Sequence, residues 1–237
     1  MTVFAHGLAG DIAGTRPLGS GVTGRRVFFQ FRGHGRSDAP PGPWSFGDLA
    51  TDLRGVADLT GATRALGVSM GAGALCRLLA ETPDRFERAV FYLPAPLDGN
   101  RPEVAVQRLG RLIASVESGE AAMIADAVEA ELPGSVRNTP AGWSYLRQRV
   151  DQLQRDGLAA ELETLWLAPA VPDESLLRAF PGRALVIGCL GDEVHPSAWA
   201  ERLAALLDAD LQMYDSPAFL WTHRQELRDR VSTFLNA

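Results

Sequence analysis

Gly67-Val68-Ser69-Met70-Gly71 is the stretch on which the fold turns. It has the G-x-S-x-G pattern that sets a serine on a sharp strand-to-helix elbow. The flanking glycines answer a steric need, because a Cβ at either position would strike the neighbouring backbone. The five-residue pattern is weak alone, so its surroundings must carry it. Arg64-Ala65-Leu66-Gly67-Val68 reads as a short buried strand leading in. Gly71 to Ala80 reads as a helix leading out, with small residues at its start for close packing on a sheet, and Thr82-Pro83 stops it. The alternative is a glycine-rich turn in an ordinary α/β protein.

Working outward, further strands are predicted over 2–5, 26–31, 86–93, 183–190 and 211–214. The stretch 26–31 is bulky enough for a central strand. The stretch 89–93 is continuously apolar, as a strand covered on both faces should be. Ser45 with Asp48 reads as a capping pair for a helix lined by Leu49, Leu53 and Val56. Between about 94 and 180 the strand signal stops and four helices are expected, over 103–116, 120–131, 143–155 and 158–166. A run of helices between two buried strands reads as an insertion, so the core is 1–93 with 181–237. After it, Pro196 opens a helix and 223–235 closes the chain. Strands alternating with helices predict an α/β fold, a mostly parallel, doubly wound sheet of about six strands. Ligands of such sheets bind at the strands' carboxyl ends, where the polar motifs of this chain gather.

The chain has 237 residues, enough for one domain with its own core, and 46% hydrophobic against 22% charged residues is a globular balance. A net charge of -6 disfavours nucleic acid and anionic membranes as partners. Cys76 and Cys189 both lie in apolar stretches and read as buried reduced thiols, which suits the cytoplasm. No grouping of histidine with cysteine suggests a metal site, no cofactor motif is found, and no apolar run reads as a signal peptide or membrane span.

A serine nucleophile needs a base, a carboxylate to orient that base, and donors for the developing oxyanion. Four histidines compete for the base. His6 and His34 sit among turn glycines, where a structural role is at least as natural. Asp192, one glycine beyond the strand 183–190, is the candidate carboxylate, with Asp98 in reserve. His223 is preferred to His195. His195 lies three residues after Asp192 in the same loop, an awkward place from which to reach the serine, and reads as a turn residue. Ser69, Asp192, His223 also gives the expected chain order.

With these residues in place the chain resembles the α/β-hydrolases, in particular the lid-bearing esterases and lactonases, over nearly its whole length. His6-Gly7 is similar to that family's oxyanion motif, and the resemblance implies that the backbone N–H groups of Leu8 and Met70 form the hole. Gly33-His34-Gly35-Arg36-Ser37-Asp38 resembles the loop after the family's fourth strand. By the same likeness 94–180 would be a helical lid. One departure stands out. Two strands usual in the family before the His-Gly strand are absent here, which leaves a sheet edge that a second copy of the chain could cover. The resemblance implies a serine hydrolase acting on a carboxylic ester or lactone of a small, mainly apolar molecule, without a cofactor. Carbon–carbon bond hydrolases, thioesterases and perhydrolases share the same three groups. A binding protein that kept only the fold is the rival of another class.

Overall fold

The computed structural model describes residues 1–158 and 161–237. In chain order the elements are β1 (Thr2–Ala5), α1 (Ile12–Thr15), β2 (Arg26–Phe28), α2 (Phe46–Thr60), β3 (Arg64–Val68), α3 (Met70–Glu81) and β4 (Arg88–Tyr92). Then come α4 (Glu103–Ser118), α5 (Ala121–Glu129), α6 (Gly134–Arg137), α7 (Pro140–Asp156) and α8 (Glu161–Leu167). The chain ends with β5 (Arg183–Cys189), α9 (Ser197–Leu207), β6 (Asp210–Tyr214), α10 (Phe219–Thr222) and α11 (Arg224–Asn236). Residues 159 and 160, within the helix expected over 158–166, lie outside the described residues.

The six strands form one sheet in the order β2-β1-β3-β4-β5-β6, and every neighbouring pair is parallel. Each crossover therefore needs a connection over a face of the sheet, and helices cover both faces. On one face α2, α3 and α9 bury Leu49, Leu53, Leu75, Leu78 and Leu203 with Val3, Ala65 and Val186. On the other, α11 buries Leu227, Val231 and Phe234 against Phe4, Leu66, Val90 and Ile187. The α2 start is a full capping box: Ser45 accepts from the Asp48 N–H, and Asp48 accepts from the Ser45 N–H at 2.8 Å.

The stretch 26–31 departs from its expected place. Only Arg26–Phe28 pairs, and it pairs on one side, as an edge strand. Phe29 to Phe31 leave the sheet because their polar groups bond to loops. The Phe31 N–H donates to His6 Nε2 at 3.1 Å, and the Gln30 carbonyl accepts from Ser37 Oγ at 2.8 Å. The apolar character that suggested a central strand serves other contacts. Phe28 stacks on Phe4 with ring centroids 4.6 Å apart, and Phe31 is buried in the core.

The helices α4 to α8 all lie between β4 and β5. They have an apolar centre of their own, with Leu112, Ile124, Val128, Val150 and Leu153 packed around Ala9 from the loop after β1. That loop is therefore held from above. The Ala9 carbonyl accepts from Gln152 Nε2 at 3.0 Å and from the Arg149 guanidinium, both on α7.

Candidate active site

Ser69 stands between β3 and α3 at φ 48° and ψ −106°, a backbone conformation that a non-glycine residue rarely takes. Its surroundings hold it there. A Cβ on Gly67 would meet the Gly71 carbonyl oxygen at 2.5 Å, and one on Gly71 would meet the Ala5 carbonyl oxygen at 2.5 Å. The elbow is thus wedged between its own helix and β1, and only hydrogen fits at both places. The Ser69 N–H donates to the Tyr92 carbonyl at 3.0 Å, which ties the elbow to the end of β4.

The imidazole beside the serine belongs to His195. Ser69 Oγ lies 2.9 Å from His195 Nε2, and His195 Nδ1 lies 3.3 Å from Asp192 Oδ2. This corrects the expectation that His223 would face Ser69. His223 is exposed, caps the start of α11, and its Nδ1 pairs with the hydroxyl of its neighbour Thr222 at 2.8 Å. The reason is local. The short helix α10 follows β6 and seats Phe219 flat on Tyr214, with centroids 4.3 Å apart, which leaves His223 at the outer junction of α10 and α11.

His195 lies only three residues after Asp192, and the shape of the loop makes that closeness workable. Asp192 Oδ1 accepts the N–H groups of Val194 at 2.8 Å and His195 at 2.9 Å. That side-chain turn curls the chain back on itself, as short acidic side chains do. The other oxygen, Oδ2, is then in place for the returning imidazole. One carboxylate shapes the loop and orients the ring. Burial alone would push the Asp192 carboxyl upward, but the hydrogen bonds and charge of His195, with the Val194 N–H, outweigh it and hold it down at about 2. The signal was present in the sequence as an aspartate three residues before a histidine that a proline follows. It reads as an ordinary turn until the serine is seen opposite.

Asp98, the reserve carboxylate, is engaged elsewhere, with Arg202 at 2.9 Å and with the Asn100 N–H at 3.1 Å. His6 and His34 are structural partners. Each accepts a backbone N–H at Nε2 from across the gap, His6 from Phe31 and His34 from Ala9, both at 3.1 Å. Their Nδ1 atoms face the carbonyls of Gly7 and Arg32. The two histidines lace together the loops after β1 and β2. Burial, with His34 and Arg149 nearby, lowers the His6 pKa to about 3, so it is neutral at ordinary pH. Of the two backbone donors expected for an oxyanion, Met70 is the first residue of α3, where an N–H has no acceptor within the helix. Leu8 follows Gly7, whose added Cβ would stand 3.5 Å from Ser69 Cβ.

The loop carrying His195 is attached to the helices above it. Glu193 pairs with Arg108 of α4 at 2.6 Å, and Val194 packs on Ala105, Leu109 and Trp166. Under α7 lies a cavity of about 620 Å³ lined in part by Gly7, Leu8, Val68, Tyr92 and Leu93, which meets the elbow through Val68, the residue before Ser69. Among the described residues no cluster of His, Cys, Asp and Glu could hold a metal ion, and no helix is long and apolar enough to cross a membrane.

A strained serine on a strand–helix elbow of a parallel sheet, in contact with an imidazole that a carboxylate backs, defines a class. The chain belongs to the alpha/beta hydrolase family, whose profile matches residues 2–228. It is 29% identical over 232 residues, spanning 90% of this chain and 81% of the relative, to a Caulobacter segnis protein named "Putative carbamate hydrolase RutD". Among solved structures it resembles the enol-lactonase of Burkholderia xenovorans LB400, with a TM-score of 0.81, 24% identity, and coverage of 100% of this chain and 91% of that one. It also resembles a meta-cleavage product hydrolase of Pseudomonas fluorescens IP01, with a TM-score of 0.79, 16% identity and coverage of 99% and 90%. At these identities the two structures speak for the fold.

Proposed function

We propose that the protein is a serine hydrolase that cleaves a carboxylic ester or lactone through an acyl-enzyme. The observation that carries this reading is the 2.9 Å contact between Ser69 Oγ and His195 Nε2, with Asp192 behind the ring. Ser69 Oγ attacks the substrate carbonyl carbon while His195 Nε2 takes the hydroxyl proton. The carbonyl oxygen becomes an oxyanion held by the N–H groups of Leu8 and Met70. The intermediate collapses, the alcohol oxygen leaves with the proton from Nε2, and an acyl-serine remains. Water, deprotonated by the same nitrogen, attacks the acyl carbon. Ser69 is released as the proton returns, and a carboxylic acid departs. Asp192 stays ionised throughout and stabilises the charged imidazole. The helices between β4 and β5 are the lid over this chemistry, and the cavity beneath α7 receives the substrate.

A fluorophosphonate probe tests the reading, because only an activated serine is labelled. Labelling of the wild type and none of Ser69→Ala, with loss of p-nitrophenyl ester turnover in the same variant, is the expected result. An unlabelled wild type would overturn it.

A further inference from the structure

The base reaches Ser69 from the β5 loop and not from the β6 side, where Leu220, Trp221 and Arg224 follow the strand. The cavity of about 620 Å³ lies on that side. Its walls are the loop after β1, with Gly7, Leu8 and Asp11, the α7 face carrying Tyr145 and Arg149, and the start of α11 with Arg224 and Arg228. Three guanidiniums line it with one carboxylate, Asp11, whose Oδ1 accepts from the Gly14 N–H at 2.9 Å; outside the lining, Asp229 pairs with Arg228 at 2.9 Å and Glu131 lies near Arg149.

Folding does not ask for this arrangement. Arg224 and Arg228 are four residues apart on one helix, where like charges repel. Arg224 opens α11, and a cation at a helix N-terminus opposes the helix dipole. Each keeps N–H donors beyond its local contact, although Arg228 is ion-paired with Asp229. Arg224 uses Nε on the Leu220 carbonyl at 3.1 Å, Arg228 shares Asp229 through Nε and Nη2, and each guanidinium has five N–H donors. Arg149 spends Nη1 on Ala9 and Gln152. A guanidinium can aim two parallel N–H groups at two oxygens of a carboxylate or a phosphate.

We propose that this cavity is an oxyanion subsite: the substrate carries a carboxylate or phosphate remote from its scissile carbonyl, held by Arg224 and Arg228 of α11 facing Arg149 of α7. The assignment rests on the hydrolase reading for the position of the scissile bond, while binding of the anion stands apart from it. It also replaces the expectation of a mainly apolar substrate with one that is apolar in its middle and charged at its far end.

Two measurements test it. The first is the ratio of kcat/KM for p-nitrophenyl hemiglutarate to that for p-nitrophenyl valerate. The wild type should favour the anionic ester by about tenfold, chiefly through KM, and less so at high salt. Arg224→Gln/Arg228→Gln should bring the ratio close to unity. The second is thermal unfolding of Ser69→Ala with glutarate, butyl phosphate or neutral glutaramide. A rise in Tm with glutarate, with butyl phosphate or with both, absent with glutaramide and abolished by the two arginine substitutions, supports the subsite and says which oxyanion it takes. No rise with either anion, or a rise that survives the substitutions, overturns it. Stabilisation by glutarate with no serine labelling and no ester turnover would sink the hydrolase reading and leave the subsite standing.

Discussion

His195 and His223 differ in what their neighbours do to them. The Asp192 turn delivers His195 to Ser69, whereas α10 carries His223 to the surface and pairs it with Thr222. His195→Ala should therefore lower kcat on a p-nitrophenyl ester by about three orders of magnitude, and His223→Ala should leave it within a few-fold of wild type. The opposite order of losses would show that the 2.9 Å contact is not the working one. Asp192→Asn should cost as much as His195→Ala, since it removes the orienting charge while keeping the turn. Gly71→Ala belongs to the same scale. Its Cβ would press on backbone oxygens of Ala5 and His6 that cannot swing away, so overpacking should cost about 1–3 kcal/mol. A fall in Tm checks this, and an unchanged Tm would mean that the elbow has more room than these distances allow.

At the scale of elements, the contact that matters joins α4 to the loop after β5. Arg108 meets Glu193 at 2.6 Å, two residues before the imidazole, and Val194 is keyed into Ala105, Leu109 and Trp166. The ion pair is partly exposed, so it is weak as a source of stability. Its value lies in where it sits, since slack in this loop moves the ring on Ser69. Arg108→Ala and Glu193→Gln should each lower kcat about two- to fivefold with little change in KM, and the double variant should be no worse than either. Strictly additive losses in that cycle would show that the two side chains do not act as a pair.

For the whole molecule, the loops after β1 and β2 are tied to each other, and a neutral His6 is part of what joins them. Its folded pKa of about 3 lies below the unfolded value near 6.5. Between those values the unfolded chain binds the extra proton, so the contribution is full above about pH 6.5 and is lost as pH falls toward 3. Urea midpoints should drop between pH 7 and pH 5, before most carboxylates titrate. His6→Gln, which keeps an acceptor for the Phe31 N–H but cannot be protonated, should flatten that drop. An equal drop in both proteins would place the acid sensitivity elsewhere.

The sequence by itself determined the parallel sheet, the elbow and the candidate carboxylate, because each rests on chemistry within a few residues. Alternation of apolar strands and helices is a local pattern, and Gly67 and Gly71 answer clashes inside one turn. The capping box at Ser45 and Asp48 was legible for the same reason. Tertiary structure decided what depends on distant partners. Phe29 to Phe31 had the composition of a strand, but His6 and Ser37 claimed their backbone groups and left β2 three residues long at the edge. Spacing made His195 look too close to its carboxylate, and His223 looked free to reach the serine. Neither the fold of the Asp192 turn nor the stacking of Phe219 on Tyr214 can be read from spacing, since both are settled by which groups find a partner once the sheet has brought the loops together.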